Sequence, residues 1–144
     1  TPQRAIEKPV AEVQATVPQL EMLMNETPDP EIRREAVYLI ADAGEMEDAA
    51  LVGQALYDPD SRVRESAIEA LVGIGGESSA NWMLIALGDP DPRIRRTAVE
   101  ALGEIGGNTA KILLQQSRLD ADEGVRAAAE QMLVEPGFAE RELR

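Results

Sequence analysis

Apolar residues recur along the chain at the spacing of a helix with one buried side. In residues 60–74 they fall at i, i+4, i+7, i+8 and i+11, which are Val63, Ala67, Ala70, Leu71 and Ile74. Asp60 stands where a side chain can cap the free amides of the first turn. Gly75 follows the last apolar residue and can end a helix in the left-handed conformation. The pattern therefore predicts an amphipathic α-helix between Asp60 and Gly75.

The same pattern occurs four times at an interval of 31 residues, in segments that begin at Ile32, Val63, Ile94 and Val125. Six kinds of position keep this register: an Asp, an aliphatic residue, an Arg, an Ala, a second aliphatic residue and a Gly. The Asp and Arg columns are Asp29, Asp60, Asp91 and Asp122, and Arg33, Arg64, Arg95 and Arg126. A second helix follows the Gly in three copies, at about residues 48–57, 79–87 and 109–119. The repeat therefore predicts a pair of helices.

Helix pairs repeated in register stack as a solenoid, in which each unit contacts mainly its neighbours. We therefore predict an all-α fold, an α–α superhelix of about four units with partial repeats at both ends. The repeat domain is expected over residues 10–135, with steps near residues 29, 60, 91 and 122, and to begin with a second helix over about 10–25. Residues 1–9 are expected to be disordered or extended, and residues 136–144 to form a tail.

One string of residues resembles a known repeat. Residues 89–107 read Asp-Pro-Asp-Pro-Arg-Ile-Arg-Arg-Thr-Ala-Val-Glu-Ala-Leu-Gly-Glu-Ile-Gly-Gly, and the other copies share much of this order. The string is similar to the short HEAT repeat of the phycobilisome-lyase type, which forms an armadillo-like superhelix, and the resemblance covers about residues 20–135. It implies that the first helix of each pair lies on the convex side and the second on the concave side. Longer armadillo, ankyrin and tetratricopeptide units fit the period worse.

The composition is acidic and poor in aromatic residues. Fourteen Lys and Arg stand against 27 Asp and Glu, a formal net charge of −13, and aromatic residues make up only 3%. Such a charge repels nucleic-acid phosphates and anionic membranes, and no apolar run reaches the length of a membrane span. We therefore expect a protein partner, no nucleic acid and no membrane insertion, and we favour a monomer.

The residues used most often in catalysis are missing. The sequence contains neither Cys nor His, the usual thiolate nucleophile, metal ligand and general base. The segment 120–124 resembles the start of a calcium loop but lacks the closing Glu of a 12-residue loop. We therefore expect no catalytic residue, no cofactor and no metal site.

Two alternatives to a pure binding role remain. Proteins with this repeat include bilin lyases, so a lyase-like role is the first; relatives of the deoxyhypusine-hydroxylase type need His and Glu ligands, which a chain without His cannot supply. The second is an accessory domain of a larger protein or enzyme complex, since the chain begins at Thr1 with an incomplete repeat. The compartment is expected to be cytoplasmic by default, or periplasmic or secreted if a signal peptide has been removed.

The Asp and Arg columns permit two interpretations. In the first, each Arg travels with the Asp four residues before it, and the pairs form a structural ladder that clamps successive loops. In the second, the four Arg side chains form an anion-binding row. The ladder is the preferred interpretation because every Arg is accompanied by its own Asp.

The exposed side of the second helices is the predicted binding surface. An apolar strip lies where polar residues are expected on a helix face in water, formed by Leu51, Trp82, Ile85, Ile112 and Leu113. The residues assigned to a partner site are Trp82 and Ile85 at its centre, with Gln54, Tyr57, Asn81, Ile112 and Gln116. In the alternative, Leu51, Trp82 and Leu113 stack half-buried between adjacent second helices. We predict a non-catalytic protein–protein interaction scaffold or adaptor that binds its partner on the concave face.

Overall fold

The computed structural model describes residues 15–43, 48–135 and 138. Its helices are α1 Val17–Glu26, α2 Pro30–Asp42, α3 Asp48–Gln54 with a 3₁₀ turn at Ala55–Tyr57, α4 Ser61–Ile74, α5 Gly76–Ala86, α6 Pro92–Ile105, α7 Gly107–Ser117 and α8 Glu123–Val134. Strands are absent from this described part, which confirms the predicted all-α fold. The expected N-terminal segment 1–9 and the tail 136–144 lie outside the described residues, apart from Phe138, which is buried.

The repeated Asp begins all four first helices, and the repeated Gly ends two of them, α4 and α6. The Asp60 side chain accepts a hydrogen bond from the backbone amide of Arg62, and equivalent caps begin the other three first helices. Gly75 ends α4 with φ of 70°, and Gly106 ends α6 with φ of 69°. Residues other than Gly rarely adopt this backbone conformation, so the turn requires Gly at both positions.

The second helices begin earlier than the sequence predicts. Helix α5 begins at Gly76 rather than near residue 79, and α7 begins at Gly107 rather than near residue 109. The reason is that Gly75 and Gly106 each end one helix and directly begin the next, without an intervening loop. Helix α1 begins at Val17 after a capping box at Thr16, and residues 10–14 lie outside the described residues.

The helices form two layers. Helices α2, α4, α6 and α8 contact one another in order and make up the first-helix layer. Helices α3, α5 and α7 do the same and make up the second-helix layer, while α1 packs on α2. Between the layers lie fully buried aliphatic side chains, among them Ile40, Leu71, Met83, Leu102 and Leu114. This is an α-solenoid whose core is a continuous seam shared between successive units.

None of the described helices is long and apolar enough to cross a membrane.

Candidate binding surface

The Arg column forms a series of forks that join successive loops. Arg64 donates from Nε to Asp89 Oδ2 at 2.7 Å and from Nη2 to Asp89 Oδ1 at 3.4 Å. Its Nη1 donates to the backbone carbonyl of Asp58 at 2.8 Å. The same fork joins two further pairs, Arg33 with Asp58 and Arg95 with Asp120. Each Arg therefore ties the loop before its own helix to the loop before the next first helix.

This pairing corrects the one expected from the sequence. The Asp four residues before each Arg, in the column Asp29, Asp60, Asp91 and Asp122, is committed to capping its own helix. Asp60 also accepts from Arg62 Nη2 at 2.9 Å, and the hydrogen bonds from the Arg62 side chain and backbone amide lower the pKa of Asp60 to about 2. The fork instead uses the Asp that lies 25 residues after the Arg.

The forks leave little Arg surface for an external anion. The side chains of Arg33, Arg64 and Arg95 are mostly buried, and both oxygens of each partner Asp are engaged. Arg126 donates to the carbonyls of Asp120 and Ala121, at 2.7 and 3.1 Å, and has no carboxylate partner among the described residues. The interpretation as an anion-binding row therefore gains no support from the three forked arginines.

Charge is distributed unequally between the two layers. Each helix of the first-helix layer contains three to five charged residues. Helices α3, α5 and α7 contain one each, namely Asp48, Glu77 and Lys111. Asp48 is buried, Glu77 accepts a hydrogen bond from the Thr109 hydroxyl, and Lys111 is also engaged in an interaction. The outer side of the second-helix layer is therefore close to neutral in a strongly acidic protein.

Large apolar side chains are exposed on this neutral side. Tyr57, Leu84, Ile112 and Leu119 are each more than half exposed, and Leu119 reaches 86%. Exposed amides accompany them, at Gln54, Asn81 and Gln116. We refer to these seven residues as the second-helix surface. Exposed apolar patches often mark interaction sites, so this surface is the candidate binding surface.

The two residues expected at the centre of the site lie deeper than the rest. Trp82 and Ile85 are half-buried and pack against the core. The Trp82 ring covers Gly53 of α3 so closely that a Cβ atom there would overlap it. Leu113 is buried and Leu51 half-buried, so this column occupies the inter-helix position of the alternative interpretation.

Leu84 is a surface residue that the sequence interpretation missed. It lies four residues after Ala80 and next to Met83, both fully buried, so its spacing resembles that of a core position. The register gives the only clue, because its equivalents one repeat before and after are Gly53 and Gln115, neither of which is a large apolar residue.

A groove of about 310 Å³ opens on the second-helix surface between the C-terminal ends of α5 and α7. Its lining combines three leucines, a glycine and polar groups, namely Leu84, Leu87, Gly88, Gln116, Ser117, Leu119 and Asp120. A larger groove of about 380 Å³ lies between α4 and α6 in the other layer, and its walls carry Glu65, Glu69, Glu100 and Glu104. Covering those carboxylates with an apolar ligand would cost desolvation energy, so the smaller groove is the better apolar site.

Two buried polar atoms have no hydrogen-bond partner among the described residues, Asp48 Oδ2 and Ser79 Oγ. They lie one repeat apart at equivalent positions of α3 and α5, and the third equivalent is Ala110 of α7. Both face the interior and are not part of the second-helix surface. The described residues include no group of three or more His, Cys, Asp or Glu placed to hold a metal ion.

Two stacked layers of paired helices, with Arg forks across each boundary, define an α-solenoid repeat protein. The profile of HEAT repeats matches residues 10–72 and 49–134, which is most of the chain, so the protein belongs to the HEAT-repeat family. No curated protein sequence matches it significantly.

Two solved structures share the fold. Human deoxyhypusine hydroxylase, solved in complex with glycerol, superposes with a TM-score of 0.77 at 23% identity, over 90% of this chain and 45% of the hydroxylase. An engineered protein superposes with a TM-score of 0.54 at 21% identity, over 88% of this chain and 63% of its own. The chain thus spans less than two thirds of either structure. At these identities the similarity shows the fold alone.

Proposed function

We propose that this protein is a non-catalytic interaction scaffold that binds a protein partner on the second-helix surface. The observation that carries the proposal is that four of the eight exposed large apolar side chains among the described residues lie on the nearly uncharged layer of a protein whose net charge is −13. HEAT repeats are generally protein-interaction scaffolds, which supports the same role. A partner that covered these side chains would remove apolar area from water at roughly 25 cal/mol per Å².

The centre of the proposed site differs from the one expected from the sequence. A partner could cover large exposed apolar area on Leu84, Ile112 and Leu119. Much of the apolar area of Trp82 and Ile85 is already buried against the core. Binding energy in protein interfaces concentrates in a few well-packed residues. We therefore place the principal contacts on these three aliphatic residues, with the neighbouring amides supplying hydrogen bonds at the rim.

The test is affinity capture from the native source with a matched pair of variants. Ile112→Asp puts a charge on the second-helix surface, and Ile32→Asp makes the same change at an exposed Ile in the first-helix layer. Both side chains are about half exposed, so each change is expected to cost a similar amount of stability, about 1 kcal/mol, and thermal unfolding should show both variants folded. One stoichiometric protein should be recovered with the wild type and Ile32→Asp and be lost with Ile112→Asp. Recovery of no such protein, or equal recovery with both variants, would contradict the proposal.

We also propose that the repeat is of the short phycobilisome-lyase type. The 31-residue period and the Asp-Pro-Asp string at residues 89–91 support this narrower assignment.

A further inference from the structure

We propose that the groove between α5 and α7 is an anchor site for a peptide in which one large apolar side chain stands next to Lys or Arg. This inference rests on the proposed function and specifies the chemistry of the partner. The groove, the missing side chain at Gly88 and the charge around the two helix ends each contribute to it.

Gly88 lines the groove and contributes no side chain to it. Its equivalents one repeat before and after are Tyr57 and Leu119, the two most exposed large side chains of the second-helix surface. The absence of a side chain at the middle position leaves a notch beside Leu84 and Leu119. Its volume of about 310 Å³ is at the lower end of the range for ligand pockets, roughly 300–1,000 Å³, which suits one bulky side chain.

The helix ends around the notch favour a basic residue next to the apolar residue of the bound peptide. The C-terminal end of a helix carries a partial negative charge, and both α5 and α7 end here. Neither helix has a basic residue in its last turn, and Arg118, which follows α7, lies 3.7 Å from Glu130.

The net charge of the protein is negative, like the partial charge at these helix ends. The carboxylate of Asp120 in the groove is already held by Arg95 and by the backbone amide of Asp122. It is therefore not the direct partner of a ligand cation. The net charge of −13 nonetheless attracts a basic segment and repels an acidic or phosphorylated one.

The test uses a phage-displayed peptide library that is selected on the full chain alone, and the enriched peptides are then assayed against Gly88→Leu. A Cβ atom at Gly88 would meet only the Ile85 carbonyl oxygen, at an ordinary 3.5 Å, so this variant fills the notch without disturbing the backbone. Gly73→Leu is the matched control, because Gly73 is exposed on α4 and has nothing within 4 Å of an added Cβ. Thermal unfolding should show both variants folded.

Enriched peptides should share a large apolar residue adjacent to Lys or Arg. A synthetic peptide of that kind should bind the wild type and Gly73→Leu equally and bind Gly88→Leu at least about tenfold more weakly, a change of about 1.4 kcal/mol. Failure to enrich such a motif, or equal binding to Gly88→Leu, would overturn the anchor site.

The same peptide separates this inference from the proposed function. If Ile112→Asp abolishes binding and Gly88→Leu does not, the second-helix surface is the binding face and the anchor site is wrong. If neither variant affects binding, both proposals fail.

Discussion

Replacing Arg64 with Gln should destabilise the protein far more than the same change at Arg126. Arg64 makes two hydrogen bonds to Asp89, whose side chain is only 4% exposed, and a third to the Asp58 carbonyl. Removing one partner of a buried ion pair leaves an uncompensated charge and costs about 3–5 kcal/mol. Arg126 contacts only carbonyls among the described residues, so its loss should cost about 1 kcal/mol.

The assay is urea unfolding followed by far-UV circular dichroism, with the m value checked so that the two variants can be compared as two-state transitions. For a domain of this size the larger loss corresponds to a fall in Tm of roughly 10 °C. Adding Asp89→Asn to Arg64→Gln should recover part of the loss, because the unpaired buried charge is then removed. Equal effects of Arg64→Gln and Arg126→Gln would refute the reasoning that the buried carboxylate fork stabilises the boundary.

Three further changes test other parts of the structure. Gly53→Ala should lower the free energy of unfolding by about 1–3 kcal/mol and shift Trp82 fluorescence to the red, because the new methyl group displaces the ring; an unchanged spectrum would contradict that packing. Ser79→Ala should raise the free energy of unfolding by about 1 kcal/mol, measured in urea, because it removes a buried hydroxyl that has no partner among the described residues; a loss of stability would show that the hydroxyl is bonded. Asp60 has a pKa of about 2, below its usual 3.8, so its contribution to stability is present above about pH 4 and lost as the pH falls toward 2; Tm should therefore fall less steeply in Asp60→Asn over that range.

The fold could be predicted from the sequence because the repeat encodes it several times over. An Asp that caps, an aliphatic stripe and a Gly each recur every 31 residues, so the helix pattern of each copy is supported by the same pattern in the others. The helix starts at Gly76 and Gly107 were less accessible to prediction. They depend on a glycine serving two helices at once, which is a property of backbone dihedral angles and not of hydrophobic spacing.

The Arg partners could not be predicted because each loop offers two candidates. Asp58 and Asp60, and likewise Asp89 and Asp91, both keep the 31-residue period. The second Asp of each pair is only four residues from the Arg of its own repeat, so the sequence favours it as the partner. The structure shows that this Asp instead caps its own helix. Which Asp the Arg binds depends on which carboxylate the Arg side chain can reach across the repeat boundary in the folded structure.

Only part of the candidate site was visible in the sequence. The neutral second-helix side and the exposure of Tyr57 and Ile112 follow from which positions lie away from the core. The burial of Trp82 does not follow from its position in the helix, because its ring packs where Gly53 of the neighbouring unit has no side chain. Leu84 was missed for the related reason that its helical spacing matches that of buried neighbours.

Each Arg fork joins only two neighbouring units, and this determines the order in which the units of the solenoid unfold. Separation of the unit at either end breaks one fork and leaves the remaining ones closed, so opening is expected to proceed inward from the ends in steps. Backbone amide protons in α4, which has a forked neighbour on both sides, should exchange with solvent more slowly than those in α1 or α8. A ligand seated on α5 and α7 would then slow exchange in the units it spans and leave the opposite end unprotected, so the pattern of protection would report where on the stack it lies.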